Sequence, residues 1–200
     1  MRFSANICRL FVVIFSLLAS STELEAVEIL AVEVKSKGGI YTLYGESLIE
    51  APANVIFGIL LDYDNFHRLA SGIAETSFLP VRDYGVLIGY TRINTCVWFY
   101  CRKVEKVDRI QAIAPEEIRT DAIPAESDFR MNRAKWSLEN VAGGTRVIYK
   151  AEIEPDFWMP PLIGTWAIKR KLRRSAEEIG DRIEYLAATG RNISTLAVVP

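Results

Sequence analysis

The residues best suited to chemistry lie in one short segment, Asp62-Tyr63-Asp64-Asn65-Phe66-His67. It holds two carboxylates, a phenol and the only histidine of the chain, which are groups that exchange protons or anchor a polar ligand. The same residue types satisfy free backbone groups in turns and at helix ends, and this structural role is the interpretation we favour. A calcium loop is not supported, because Asp62-x-Asp64 lacks the glycine and the distal glutamate of an EF-hand.

Cys96 and Cys101 are the next candidate pair. Residues five apart on a straight strand point to opposite faces, so a disulfide between them requires a bulge or a turn. A bridge and two separate thiols packed in a sheet both fit the sequence. A metal site is not predicted, because His67 is the only histidine and no third ligand is apparent in the sequence.

A basic cluster lies near the C-terminal end of the chain and consists of Lys169, Arg170, Lys171, Arg173 and Arg174. Such a cluster can contact an anionic headgroup or a membrane surface. A solvated helix face is the alternative, since Arg174 precedes Glu178 by four residues, the spacing of a helical ion pair. The bases precede the acids, opposite to the preference of the helix dipole, so membrane-surface contact stays open, although the solvated face is the interpretation we favour.

Motifs of several enzyme classes are missing from the sequence. There is no G-x-S-x-G nucleophile elbow, no glycine-rich phosphate loop and no metal triad, so we predict no catalytic residue and no cofactor. The formal net charge is −1, from 24 Lys plus Arg against 25 Asp plus Glu, and gives no field that would recruit nucleic acid. Half of the residues are hydrophobic, which excludes disorder for the body of the chain.

Residues 1–26 predict a secretory signal peptide. Two arginines precede an apolar run, Leu10–Ala19, and a small and polar stretch follows it. A membrane-spanning helix needs about 20 apolar residues, so an uncleaved anchor is the less favoured interpretation. Cleavage fits after Ala26 or after Ser21. The mature protein is then expected in the periplasm or outside the cell, where cysteine pairs oxidise.

The remaining sequence predicts one α+β domain, residues 27–190, and a flexible tail, residues 191–200. Its β-rich runs are Val27–Val34, Ile40–Glu50, Thr76–Val81, Val86–Val107, Glu117–Ile123, Phe129–Leu138 and Thr145–Ile153. Apolar and charged residues alternate in the last run, as is typical of an antiparallel sheet with one dry face. A short helix with Pro52 in its first turn, ending near Asp62-Tyr63-Asp64, and a second short helix or turn at Asn65–Leu69 are predicted between the second run and the third.

A long helix is predicted at Leu162–Leu186, which contains no proline. Six apolar residues recur there in steps of three and four and form one stripe. They are Ile168, Leu172, Ala176, Ile179, Ile183 and Leu186. Strands and helices are thus segregated along the chain, which favours an α+β architecture.

This order of elements resembles the START-like helix-grip superfamily, also called SRPBCC, in its polyketide cyclase and coenzyme-Q-binding branch. The resemblance covers about Ile40–Ala187 and depends on the order and spacing of several short segments. These are Ile49-Glu50-Ala51-Pro52, Asp62-Tyr63-Asp64-Asn65-Phe66, Trp136-Ser137-Leu138, Gly143-Gly144-Thr145-Arg146-Val147 and Pro155-Asp156-Phe157-Trp158-Met159-Pro160-Pro161. Residues before Ile40 resemble an extra strand or lead-in.

The resemblance implies a curved antiparallel sheet of six or seven strands around a long C-terminal helix, with two short helices after the first strand. One helix covers a strip about 10–12 Å wide, and such a sheet is much wider at about 4.8 Å per strand. The space left between them becomes an apolar pocket. Members of the superfamily hold lipids, isoprenoids, quinones, polyketides or steroids there.

We therefore expect an exported binding or carrier protein for a hydrophobic small molecule. The alternatives are a cyclase-type enzyme, in which Asp62, Tyr63 or His67 acts on a polyketide-like substrate, and a domain with a filled core. Six side chains are predicted to contact the ligand: Tyr63, Trp98, Met131, Trp136, Tyr149 and Trp166. Their competing role is to fill the core, as aromatic residues usually do.

Overall fold

The computed structural model describes residues 27–80, 86–97, 100–159 and 164–198, without the side chains of residues 97 and 100. The predicted signal peptide and Trp98 lie outside the described residues. Within these ranges the chain folds as one antiparallel sheet with a long helix packed against it.

The sheet contains eight strands among the described residues. They are β1 Glu28–Lys37, β2 Ile40–Ile49, β3 Ile73–Leu79, β4 Leu87–Val97, β5 Tyr100–Ile113, β6 Glu117–Ala122, β7 Phe129–Val141 and β8 Gly144–Pro155. Their order across the sheet is β1-β2-β8-β7-β6-β5-β4-β3. The strands from β3 to β8 form a meander, and the pairing of β8 with β2 joins this meander to the first hairpin.

The expected six or seven strands are corrected to eight. The run Val86–Val107, predicted as a single stretch, folds back on itself as β4 and β5. Residues 97–100 are Val, Trp, Phe and Tyr, which favour strands and include none of the usual turn residues. The hairpin places Cys96 directly opposite Cys101, and the two form a disulfide.

Two helices, α1 Ala53–Leu61 and α2 Gly164–Thr189, accompany the sheet together with short 3-10 turns. Helix α1 follows Pro52, which caps it in an extended conformation, and buries Ile56, Phe57 and Leu60. A 3-10 turn at Phe66–Arg68 follows, so the two short helical elements come after the second strand, β2, and not after the first strand as expected. These two elements hold the segment that contains Tyr63.

The apolar stripe of α2 faces the sheet, as its spacing predicts. Ile183 and Leu186 are buried in the main core, where they pack with residues of α1 and β8. Helix α2 lies close to the residue before β1 at Gly180, where an added Cβ would lie 2.4 Å from Val27. The hydrophobic face of α2 therefore fixes the helix against the sheet.

The chain after α2 packs back onto the domain in its described part, residues 191–198, where the sequence predicts a flexible tail. Ile193 begins a 3-10 turn and is buried in the core. The side chain of Arg68 donates to the carbonyl oxygen of Leu196, and that of Arg182 donates to Ala197. One apolar side chain and two arginines thus hold this segment.

Candidate functional site

A cavity of about 440 Å³ lies between the sheet and α2. Small-molecule sites in proteins span roughly 300–1,000 Å³. Its wall is mostly aliphatic and aromatic and includes Ile49, Leu60, Ile110, Ile118 and Val147. The stripe of α2 supplies the opposite wall through Ile168, Leu172 and Ala176.

A compact polar cluster lies on the inner wall. Lys106 and Asp108, two residues apart on β5, form an ion pair with 2.6 Å between Nζ and Oδ2. The hydroxyl of Tyr63 donates to the same Oδ2 at 3.3 Å and also bonds the hydroxyl of Thr91. Asp108 is completely buried, so its charge is balanced by Lys106 and not by water.

Electrostatics keep this inner cluster in fixed protonation states. Burial alone would lower the pKa of Lys106, but the carboxylate of Asp108 raises it above its ordinary value. Burial raises the pKa of Tyr63, and it raises the pKa of Tyr149 as well. At neutral pH the lysine therefore stays an ammonium and both phenols stay neutral, so none of the three is poised to exchange a proton.

The absence of a side chain at Gly89 creates the space for Tyr63. A Cβ added at Gly89 would lie 2.5 Å from Cε1 of Tyr63 and 2.7 Å from Cδ1 of Ile110. The ring of Tyr63 thus lies directly on the sheet, with Phe66 and Phe78 packed beside it. Close approach to the backbone positions the hydroxyl of Tyr63 at Asp108.

Trp136 and Tyr149 form an aromatic section of the cavity wall. They are register partners on β7 and β8, and their ring centroids are 4.6 Å apart. The hydroxyl of Tyr149 makes no hydrogen bond to any described residue. This wall therefore offers apolar contact area together with one free hydrogen-bonding group.

Two further cations line the cavity near the hairpin end of β4 and β5. The guanidinium carbon of Arg102 lies 4.1 Å from the ring centroid of Phe157, and its Nε is buried without a hydrogen-bond partner. Lys171 on α2 extends over Gly72, where an added Cβ would lie 2.6 Å from its Nζ. Neither cation has an ion pair with a residue that the structure describes.

No protein-family model matches the sequence, and no curated protein matches it. Solved structures do match. The STAR-related lipid transfer protein from Xanthomonas axonopodis superposes with a TM-score of 0.59 at 14% identity, over 76% of this chain and 98% of that chain. Human STARD10 gives 0.60 at 11% identity, over 88% and 80%. The Zhui aromatase/cyclase from a Streptomyces species gives 0.57 at 10% identity, over 79% and 99%.

The chain has the START-like helix-grip fold. The resemblance drawn from the sequence is confirmed at this level, and identities of this size carry the fold alone. The extra hairpin strand β1 lies at one edge of the sheet and pairs only with β2 among the described strands.

Three of the predicted contact residues, Tyr63, Trp136 and Tyr149, line the helix-grip cavity. Met131 and Trp166 do not line it. Met131 stands one residue out of phase with Asn132 and Ala134, beside a bulge in the pairing of β7 with β8, and so lies on the other face. Trp166 precedes the cavity-lining Ile168 by two residues, about 200° around the helix, and is 64% exposed.

The acidic segment after α1 serves the turn, as favoured. Asp62 accepts from the side-chain amide of Asn65 at 3.0 Å, and Asp64 accepts from the backbone N–H of Phe78 at 2.7 Å. His67 lies beside Thr76 and is not among the cavity-lining residues. Burial, with some help from Arg68, lowers the pKa of His67, so its ring is neutral at neutral pH.

Sequence reasoning missed the polar residues of β5. Arg102, Lys106 and Asp108 share one strand parity with the buried Val104 and Ile110. Charged residues in phase with buried apolar ones were the available signal. Among the described residues there is no group of three His, Cys, Asp or Glu that could hold a metal ion, and no helix long and apolar enough to cross a bilayer.

Proposed function

We propose that this protein binds and carries a hydrophobic small molecule in its helix-grip cavity. The observation that carries the proposal is the cavity itself, which is about 440 Å³ in volume and almost entirely apolar in its wall. Burying apolar ligand surface there contributes about 25 cal/mol per Å² and requires no chemistry. The names of the Xanthomonas protein and of Zhui, a lipid transfer protein and an aromatase/cyclase, describe structural neighbours and point to ligands of this class.

Binding is favoured over a cyclase-type reaction, although the fold is compatible with both. Lys106 and Tyr63 both bond Oδ2 of Asp108, and His67 lies away from the cavity. General acid–base catalysis requires a group that changes protonation near the working pH. The pKa values of Lys106 and Tyr63 are both raised away from neutrality. A filled core is disfavoured by the presence of a cavity of this size.

The proposal includes export and contact with a membrane surface. Export is supported by the signal-like sequence at 1–26 and by the disulfide Cys96–Cys101, which suits an oxidising compartment. Membrane contact is supported by the basic cluster of α2, because Trp166 lies on the same helix and exposes 64% of its surface. Exposed tryptophans next to cations are typical of surfaces that lie at the membrane–water interface.

The test is a titration with N-phenyl-1-naphthylamine, an uncharged probe that fluoresces in apolar surroundings. A cavity-filling variant, Ala176→Trp, is compared with Ala188→Trp, which lies on an exposed face of the same helix. We expect the parent and Ala188→Trp to bind alike, and Ala176→Trp to bind at least tenfold more weakly. Equal binding by all three proteins would show that the probe does not use this cavity, and no binding by the parent would count against the carrier function.

A further inference from the structure

We propose that Arg102 and Lys171 form an anion subsite at the mouth of the cavity, so that the ligand carries one anionic group on an apolar body. This inference rests on the carrier function proposed above and names the chemical class of its cargo. A carboxylate, a sulfonate or a phosphate ester would satisfy the subsite, since each offers the oxygen acceptors that a guanidinium binds.

Arg102 is the first support for the subsite. It lies on β5, lines the cavity, and has its guanidinium over the ring of Phe157. A guanidinium has five N–H donors, and none of those of Arg102 meets an acceptor among the described residues. Its Nε is shut off from water as well. A buried donor without an acceptor is costly, and an anion in the cavity would supply the acceptor.

Lys171 is the second support. Its ammonium extends from α2 over Gly72, which has a φ of 83° and no side chain to exclude it. The nearest acid on the helix, Glu178, is already occupied by Arg174 at 2.7 Å and by the backbone N–H of Ser71 at 2.6 Å. Burial lowers the pKa of Lys171, and the charge of Glu178 offsets this only in part.

Hydrogen bonding in the sheet places the two cations at the same end of the cavity. Arg102 pairs with Thr95 on β4, and the neighbouring Asn94 donates its backbone N–H to the carbonyl oxygen of Gly72 at 2.9 Å. Lys171 lies over that same Gly72. Both positive groups thus lie beside one short stretch of β4, residues 94–95.

The rest of the cavity fixes the orientation of such a ligand. Lys106, the remaining cavity cation, is neutralised by Asp108, so the inner wall offers no free positive charge. Lys171 is solvent-exposed as a residue, whereas Ile110 and Ile118 on the inner wall are buried. The head group therefore lies at the mouth and the apolar body extends inward, which is the arrangement of an amphiphile.

The experiment compares two probes that share one aromatic body. N-phenyl-1-naphthylamine is neutral, and 8-anilinonaphthalene-1-sulfonate is the same molecule with a sulfonate. For the parent we expect the sulfonate probe to bind at least tenfold more tightly than the neutral probe. In Arg102→Met/Lys171→Met this ratio should fall to about one. The control Lys169→Met/Arg173→Met removes the same charge from cations that do not line the cavity, and it should keep the parent ratio.

Each outcome decides a different question. Binding of the neutral probe without preference for the sulfonate would overturn the subsite and leave the carrier function standing, whereas failure of the neutral probe would sink the carrier function. A preference lost equally in both double variants would assign it to general surface charge and overturn the subsite. Lys171→Met alone, at an exposed position, keeps the test valid if the Arg102 variant is poorly folded, and it should lose at least threefold of the preference.

Two amphiphiles with different head groups test which anionic group the natural ligand carries. Dodecanoate and dodecyl phosphate compete with the bound sulfonate probe, with dodecanol as the neutral reference of equal chain length. Displacement by dodecanoate at lower concentration supports a fatty-acid-like cargo, and displacement by dodecyl phosphate at lower concentration supports a phospholipid-like cargo. If dodecanol displaces the probe as well as both anions do, the anion subsite is wrong.

Discussion

The cation at the inner wall of the cavity has an acidic partner, whereas the cations at its mouth have none among the described residues. At the inner wall Lys106 meets Asp108 two residues along the same strand, and Tyr63 adds a hydrogen bond to the same carboxylate. At the mouth, Arg102 stands on the same face of the same strand without an acid beside it. The difference indicates that the inner charges compensate each other within the fold, whereas no described residue compensates the charge of Arg102.

The largest effect should follow from breaking the inner pair. Asp108→Asn leaves the ammonium of Lys106 buried without its counter-charge, and we expect a loss of about 3 kcal/mol in the free energy of unfolding. Urea denaturation measures this. The double variant Asp108→Asn/Lys106→Met removes both charges and should recover most of the loss. A single variant as stable as the parent would mean that the pair does not support the fold.

A smaller loss is expected from crowding the site of Tyr63. Gly89→Ala introduces a Cβ at 2.5 Å from the Tyr63 ring, and overpacking of this kind costs about 1–3 kcal/mol. Gly58→Ala is the matched control, because it lies on an exposed part of α1 with nothing within 4 Å of the new Cβ. It should stabilise by about 0.5–1 kcal/mol through helix propensity. Thermal melts of both variants give the two opposite signs, and a stable Gly89→Ala would place Tyr63 elsewhere.

Lowering the pH should remove the contribution of Glu178 to the stability of the protein. Burial would raise the pKa of Glu178, but hydrogen bonds from Arg174 and Ser71 hold it below its ordinary value. A depressed pKa contributes stability above the unfolded value of about 4.3, and this contribution is lost as the pH falls through the folded value. Glu178→Gln should therefore lose up to about 1 kcal/mol at pH 7 and little at pH 3. An equal loss at both pH values, measured by urea titration, contradicts the shift.

The smallest change in stability should come from removing the positive charge of Arg102 at the mouth of the cavity. Arg102→Met loses a cation–π contact of about 0.5–1 kcal/mol and also removes a buried donor without a partner, whose cost is about 1–3 kcal/mol. The two effects oppose each other, so the free energy of unfolding should change by less than about 1 kcal/mol. A loss as large as that of Asp108→Asn would show that Arg102 supports the fold as the inner pair does. The denaturation used for the Asp108 variants measures both on one scale.

The sequence predictions that the structure confirms are those based on the periodicity of apolar residues. The steps of the α2 stripe and the alternation in β8 each define a face, and Tyr149 and Val147 line the cavity as that alternation requires. The β4–β5 hairpin escaped prediction because the sequence that joins the two strands consists of strand-favouring residues and includes none of the usual turn residues. Met131 was placed on the wrong face although it stands five residues from Trp136 on the same regularly paired stretch of β7, a spacing that puts the two side chains on opposite faces.

The charged residues of the cavity could not be found by motif, because their meaning depends on which strands lie beside them. Lys106 and Asp108 share the strand parity of the apolar Val104 and Ile110, but only the register of β5 shows that this face points inward. Trp166 was predicted to line the cavity because it is aromatic. Its direction on α2 depends instead on its position relative to the apolar stripe, which leaves it exposed. The sequence indicates which residues of a helix or strand share a face. Only the structure shows what that face contacts.

The two ends of α2 have different roles, and this affects which amino-acid substitutions the protein can tolerate. Ile168, Leu172 and Ala176 line the cavity and are only half-buried, whereas Leu186 lies in the core at the far end of the same helix. Substitutions at the first three positions reshape the binding volume while the anchoring end stays intact. The helix thus separates the part of the sequence that is free to diverge towards new cargo from the part that must be kept for folding.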